Sequence, residues 1–375
     1  MKTGARVFGR IAVKVGSNVI TKRDGSLDTW RISRLVEDIF ALYKKGIGVI
    51  LVSSGAVAAG RNDITPTKKT NIMTARQVWA AIGQAKLISS YQYLFGKYGI
   101  TAGQVLATKE SFRDRMHYLN MKDCISAMLD NGVLPIVNEN DTISVNELMF
   151  TDNDELSGLI SSMMDCDALL ILTNVDGLFT GEPGTEGTKL ISEVEEGTGD
   201  LSKYLSATQS GSGRGGIFTK YNTARKLAAE GIDVYIANGS RDWIISDIIK
   251  GKDVPRTRFK GAKSKTTGIK KWIRHSESFA RGSVTVDQGA SEALLGDKAS
   301  SLLVIGVVSV DGYFRKGDII SIIDENGSYI GLGKSELDSR KVESLIGQKL
   351  LKPLIHYDYL VINEKIAGPA QTFQG

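Results

Sequence analysis

The order of apolar and polar positions divides the chain into two parts of different rhythm. Up to about residue 250, short apolar runs alternate with longer amphipathic stretches. Ile11-Ala12-Val13-Lys14-Val15 has the length of a short buried strand. From Asp28 to Lys45, Ile32, Leu35, Val36, Ile39, Phe40 and Tyr43 recur at helical spacing, with Gly46 as a natural stop. Arg31, Arg34, Asp38 and Lys45 take the other faces. Val49 to Val52 is apolar and β-branched and runs into Ser53-Ser54-Gly55, a strand entering a tight turn. Further along, the pattern predicts helices over Asn71–Lys97, His117–Leu129, Asp154–Met164 and Thr219–Glu230. It predicts strands near Val105 and over Leu134–Val137, Leu169–Leu172 and Val234–Ala237. Such alternation implies an α/β fold, a mainly parallel sheet covered by helices on both faces in a three-layer sandwich.

The rhythm changes after that point. Gly251 to Gly282 shows no clear period and reads as a linker with a surface loop. Short strands follow at Ser283–Val286, Val304–Val310, Ile319–Ile323 and Tyr329–Leu332, with Asn326-Gly327 read as a two-residue hairpin turn. The expected organisation is an α/β domain over 1–255, a basic linker over 256–282 and a small, mostly β domain over 283–365.

Composition narrows the class. The 375 residues leave room for two domains, and 42% hydrophobic with 24% charged residues excludes disordered and fibrous chains. The net charge of +5 is unevenly placed: Gly251 to Gly282 carries +8 and the remainder −3. The two cysteines, Cys124 and Cys166, build neither a zinc site nor a disulfide framework, which fits a reducing cytoplasm. Arg6, Arg10 and Lys14 interrupt the N-terminal apolar residues, so no signal-peptide core is expected. The longest uncharged stretch, Gly46 to Gly60, is too short to span a bilayer. A cytoplasmic protein without a membrane partner is the expectation.

Open parallel sheets bind ligands at the carboxyl ends of their strands. There this chain places Lys14-Val15-Gly16-Ser17-Asn18, Ser53-Ser54-Gly55-Ala56, Asn138-Glu139-Asn140-Asp141, Thr151-Asp152-Asn153-Asp154 and Thr173-Asn174-Val175-Asp176-Gly177. Gly211 to Gly216 adds a glycine-rich turn, with Lys220 four residues on. Singly, each reads as turn or cap chemistry. Lys14 is different, because a lysine in a buried strand needs a partner. Glycine-rich turns bring backbone N–H groups to phosphate oxygens, and lysines neutralise a transferring phosphoryl group. Carboxylates and amides suit an amino group, a metal or the lysines themselves. Phosphoryl transfer is the chemistry these residue types serve together.

Two look-alikes drop out. Gly211, Gly213 and Gly216 match a dinucleotide fingerprint, but a polar segment precedes them where a strand is required. Gly333-Lys334-Ser335 imitates a phosphate-loop ending, but Ser328 stands where its first glycine belongs. His117, His275 and His356 lack the spacing of a zinc site or triad, and Ser54 lacks the hydrolase elbow.

At these residues the sequence resembles the glutamate 5-kinase family, amino acid kinases with a C-terminal PUA domain. The segments are AVKVGSN from Ala12, VSSGAVAAGR from Val52, AAIGQ from Ala80, DRMHYLN from Asp114 and LPIVNENDT from Leu134. FTDNDELS from Phe150, ILTNVDGLFT from Ile171 and GRGGIFTK from Gly213 complete the first set. VTVDQGASEALL from Val284 and SSLLVIGVVSVDGYFRKGD from Ser300 resemble a PUA domain. The resemblance implies the amino acid kinase fold and transfer of the ATP γ-phosphate to L-glutamate with Mg²⁺, as the first step of proline synthesis. It implies Lys14 and Lys220 as catalytic residues flanking the phosphoryl group, with Asp154 orienting them. Ser54, Gly55, Asp141 and Asn153 would bind glutamate. Gly16, Thr173, Asn174, Gly213, Arg214, Gly215 and Gly216, with both lysines, would hold the nucleotide, and no protein metal ligand is implied. Arg214, Ile217 and Asn174 depart from the family's Thr, Met and Asp. Inhibition by proline, a homo-oligomer (dimer or tetramer) and a glutamyl-phosphate reductase partner are also implied.

Two other readings stand beside this one. Phe259, Trp272 and Phe279 are interleaved in the basic segment, a pattern that suits RNA contact alongside a PUA domain. The second keeps the kinase chemistry but changes the acceptor to aspartate, carbamate, N-acetylglutamate or UMP. The acidic and amide motifs favour an acceptor with a free α-amino group.

Overall fold

The computed structural model describes residues 8–67, 70–143, 150, 153–195, 214–263, 268–275, 280–296, 299–348 and 352–363. Of residues 214, 215, 269, 274 and 275 it describes the backbone alone. The chain divides into two units, Met1–Lys265 and Thr266–Gly375.

The first unit is built on strands β1 (Arg10–Val15), β2 (Gly48–Ser53), β3 (Thr101–Ala107), β4 (Val133–Glu139), β5 (Ala168–Thr173), β6 (Glu193–Val194), β7 (Asp233–Asn238) and β8 (Arg256–Phe259). They form one sheet in the order β3-β4-β2-β1-β5-β7-β8-β6. Its neighbours are parallel except β7 and β8. Between them run helices α1 (Ser17–Ile20), α2 (Thr29–Tyr43), α3 (Ala56–Arg61), α4 (Ile72–Gly96), α5 (Lys109–Arg113), α6 (Arg115–Asp130), α7 (Asn153–Met163), α8 (Arg214–Ala229) and α9 (Ile244–Ile249).

The pleat sorts side chains to two faces. Ile11, Val13 and Val15 of β1 join Val49, Leu51, Leu170 and Leu172 in a core with residues of α2, α4 and α9. Ala12 and Lys14 therefore point to the opposite face, where α7 packs on β1 and β5 and α8 on β7. The start of α2 is held by Asp28, whose side chain accepts from Arg31 N at 3.0 Å. Asn71 does the same for α4, accepting from Thr74 N at 2.8 Å. Helices α3 and α4 touch backbone to backbone. A Cβ on Gly60 would lie 1.9 Å from the Trp79 carbonyl oxygen, and one on Gly83 1.8 Å from that of Ala56.

The structure differs from the sequence pattern in several places. Residues 256–259, expected in the linker, form β8 inside the first sheet. Arg258 there pairs with the buried Asp233 at 2.9 Å, so the basic charge is partly consumed internally. The helix expected from Thr219 begins at Arg214, so Arg214, Gly215 and Gly216 are helical rather than loop. The turn between the later hairpin strands has a positive φ at Gly327 and not at Asn326. Gly327 N donates to Asp324 O, closing a four-residue turn with a glycine bulge.

The second unit contains α10 (Gly268–His275), β9 (Gly282–Val286), α11 (Gln288–Leu295), β10 (Val307–Gly312), β11 (Ile319–Asp324), β12 (Tyr329–Lys334), α12 (Ser339–Glu343) and β13 (Leu360–Ile362). The sheet order is β10-β9-β11-β12-β13. Its core centres on Val284, Phe314, Ile320, Ile322, Ile330 and Leu354. Helix α10, again within the expected linker, packs on β12 and β13 and buries Trp272 and Ile273. Among the described residues, no helix is long and apolar enough to cross a membrane.

Candidate active site

The site forms where β1, β2, β4 and β5 end and α7 and α8 begin. Lys14 leaves β1 toward α7 and meets Asp154, the second residue of that helix, with Nζ 2.5 Å from Oδ1. Lys220, on the second turn of α8, donates to the other oxygen, Oδ2, at 2.7 Å. Its Nζ also donates to Gly216 O at 3.2 Å. One carboxylate thus spaces two ammonium groups drawn from different layers. Asp154 has no solvent exposure, and the Lys14 and Lys220 side chains keep 6% and 15%. Burial opposes ionisation of Asp154, but the charges of the two lysines outweigh it and hold the carboxyl below its ordinary range. Two positive charges tied to one negative leave a net cation, which suits a phosphoryl group in transfer.

The preceding residue, Asn153, opens onto a cavity of about 720 Å³ lined also by Ser54, Gly55, Asn138 and Asp141. Asn153 Nδ2 donates to Ser54 Oγ at 2.8 Å, Asn138 Oδ1 at 3.1 Å and Ser53 O at 3.2 Å. Asn138 in turn donates to Gln84 Oε1 of α4 at 2.7 Å. Under this network, Ser53 Oγ lies 3.0 Å from the hydroxyl of the buried Tyr91, whose phenol burial pushes up to about 12. Gly55 has a φ of 99°, which lets the chain turn from β2 straight into α3. Burial raises the Asp141 carboxyl, against an opposing effect of Arg76, whose Nη2 is 4.0 Å from Asp141 Oδ1.

Gly16 and Thr173 lie at the ends of the neighbouring strands β1 and β5, with Gly16 N donating to Leu172 O at 3.1 Å. Thr173 Oγ1 donates to Asn174 Oδ1 at 3.3 Å, and Asn174 is exposed. The structure therefore brings Lys14, Asp154 and Lys220 to one point and gathers Ser54, Gly55, Asp141 and Asn153 around one cavity. Gly16, Thr173 and Asn174 lie at the adjoining strand ends. Gly213 falls outside the described residues, and Arg214 and Gly215 are placed by backbone only, in the first turn of α8.

Gln84, Arg76 and Arg241, not singled out in the sequence, lie beside these residues. Gln84 and Arg76 lie on α4, far in sequence from the strand ends they serve. Arg241 grips Asp176 with Nε and Nη2, both at 3.1 Å, beside Asn238, and these bonds hold the Asp176 carboxyl low. The AAIGQ segment contained the signal for Gln84 but not its partner.

The chain is similar to known proteins over most of its length. A model of the amino acid kinase family matches residues 9–238, and a PUA domain model matches residues 282–356. The chain is 52% identical over 356 residues to a glutamate 5-kinase of Bacteroides thetaiotaomicron, covering 95% of this chain and 99% of that protein. It is 48% identical over 357 residues to a glutamate 5-kinase of Chlorobaculum tepidum, covering 95% and 98%. Among solved structures it matches UMP kinase from Ureaplasma parvum with a TM-score of 0.48 and 14% identity, over 68% of this chain and all of that one.

Proposed function

Because the chain belongs to the glutamate 5-kinase branch of the amino acid kinase family, we propose that it transfers the ATP γ-phosphoryl group to the γ-carboxylate of L-glutamate. The product is L-glutamyl 5-phosphate. The observation that carries the reading is the Lys14–Asp154–Lys220 bridge, whose Asp154 directly follows Asn153, a residue lining the polar cavity. The acceptor carboxylate is ionised near neutrality, so no general base is needed. The obstacle is the approach of two anions, which the paired lysines relieve. A γ-carboxylate oxygen attacks the γ-phosphorus, the bond to the β–γ bridging oxygen breaks, and ADP departs with that electron pair.

Lys14 and Lys220 flank the transferring group, and Asp154 keeps them apart and aimed. Ser54, Gly55, Asp141 and Asn153 hold glutamate. Gly16, Thr173, Asn174 and the Gly213–Gly216 segment hold the nucleotide with the lysines. Both Asp154 oxygens already face lysines, which fits a Mg²⁺ ion carried by the triphosphate and water. When bound, that ion supplies further charge neutralisation. The purified protein with ATP, Mg²⁺ and L-glutamate should yield a hydroxamate with hydroxylamine; its absence with glutamate and presence with aspartate would move the acceptor.

The proposal extends to a cytoplasmic first step of proline synthesis, feedback by proline, a dimer or tetramer, and hand-over to a glutamyl-phosphate reductase. A second activity, RNA contact, belongs to the PUA domain, where Lys334 Nζ lies 4.0 Å over the Tyr359 ring. The basic stretch supports it less than its composition suggests. Phe259 and Trp272 are 1% and 4% exposed and cannot stack on bases, and Phe279 lies outside the described residues. RNA affinity that falls steeply with salt would support this activity.

A further inference from the structure

The proposed substrate carries three charged groups. With the γ-carboxylate at the lysines, the largely buried Asp141 carboxylate is the natural partner of the α-ammonium, and the α-carboxylate still needs a cation. Arg76 occupies the first turns of α4 and lines the same cavity as Ser54, Asp141 and Asn153. Among the described residues it is the ion-pair partner of Asp141, at 4.0 Å. That separation exceeds a direct hydrogen bond, so the pair stands open rather than closed. The Arg76 side chain keeps 47% exposure, whereas that of Asp141 keeps 14%. Burial without a close cation leaves the Asp141 carboxylate short of compensation. An α-amino acid carries an ammonium and a carboxylate on one carbon, in the same arrangement of opposite charges as this open pair.

Two other arginines line the cavity, and neither has this geometry. Arg61 lies 5.1 Å over the Trp79 ring, and Arg23 is exposed at the cavity edge with Asp24 and Gly25.

Resting on the proposed acceptor, we infer that Arg76 and Asp141 form a clamp for the zwitterionic head of the substrate, with Arg76 binding the α-carboxylate. Guanidinium suits this task, because it offers a planar fork to both carboxylate oxygens. The clamp sets which end of the substrate faces the lysines. It also selects acceptors with a free amino group and a free carboxylate on the same carbon.

The test compares L-glutamate with 4-aminobutanoate, which keeps the amine and the reacting carboxylate but lacks the α-carboxylate. In the full-length wild-type protein, 4-aminobutanoate should compete with glutamate only weakly. Arg76→Met should raise the glutamate KM by roughly ten- to hundredfold, with a smaller loss in kcat. The ratio of 4-aminobutanoate Ki to glutamate KM should fall at least tenfold, and Arg76→Lys should restore part of it. A raised KM with an unchanged ratio would show that Arg76 only supports Asp141 structurally, and an unchanged KM would remove it from the site; either overturns the clamp. Wild-type protein that makes no glutamyl hydroxamate would instead overturn the proposed function, so the two failures are separable.

Discussion

Replacing Asp154 by asparagine tests the centre of the argument. Asparagine keeps the shape and removes the charge, leaving Lys14 and Lys220 beside each other with no carboxylate between them. Asp154 is fully buried and contacts the lysines at 2.5 and 2.7 Å. Removing one member of a buried, hydrogen-bonded charge group costs about 3–5 kcal/mol. For a unit of this size, that corresponds to a fall in Tm of roughly 6–20 °C.

The pH dependence has a definite sign. The folded Asp154 carboxyl lies below its ordinary range, so its stabilisation is present above the unfolded value of about 3.9 and is lost as pH falls through the folded value. The Tm gap between wild type and Asp154→Asn should therefore stay constant from about pH 5 to pH 8 and close only in stronger acid. ATP bound as proposed would supply negative charge at the same point and should narrow the gap. The assay is thermal unfolding across pH, with and without ATP, alongside hydroxamate formation, which should fall by about two orders of magnitude or more. An Asp154→Asn protein with wild-type Tm and turnover would refute the reasoning, because the bridge would then contribute nothing.

Lys220→Ala should lower kcat by orders of magnitude in a protein that still folds, and near-normal turnover would remove Lys220 from the mechanism. Asn153→Ala should act mainly on the glutamate KM, because its amide holds Ser54 and Asn138 on the cavity wall; steady-state kinetics with an unchanged KM would contradict that placement. Gly83→Ala forces a methyl onto the Ala56 carbonyl and should cost about 1–3 kcal/mol or more, with the Gly55–Ala56 wall displaced; a variant with unchanged denaturant midpoint would show that the helices separate freely. Truncation after Lys265 should leave a folded protein that makes hydroxamate, and loss of activity in a folded truncation would tie the second unit to catalysis.

The fold was readable where burial imposes a simple rule. Strands such as Val49–Val52 and Leu169–Leu172 lie under helices on both faces, so they are continuously apolar, and the helices show their inner face at a period of 3.6. β8 and α10 escaped because charged residues interrupt their apolar pattern, at two of four positions in β8 and three of eight in α10. Arg258 faces an acid inside the first unit, and α10 covers its sheet largely through Trp272 and Ile273. The Asn326-Gly327 pair marked a turn correctly and its type wrongly, because only the glycine takes the left-handed conformation.

At the site, residue types announced the chemistry before any geometry. A lysine within an apolar strand demands a counter-charge, and acidic, amide and glycine-rich strand ends suit phosphate and an amino acid. The sequence alone determined that much, together with the α/β order and the family resemblance, because each depends on local pattern. Only the tertiary structure decided that Lys14, Asp154 and Lys220 share one bridge, that Gln84 braces Asn138, and that Arg76 stands open beside Asp141. Those relations join α4, α7, α8 and the ends of four strands. They arise from the sheet order β2-β1-β5 and from the backbone contact at Gly60 and Gly83, neither of which leaves a periodic trace in the chain.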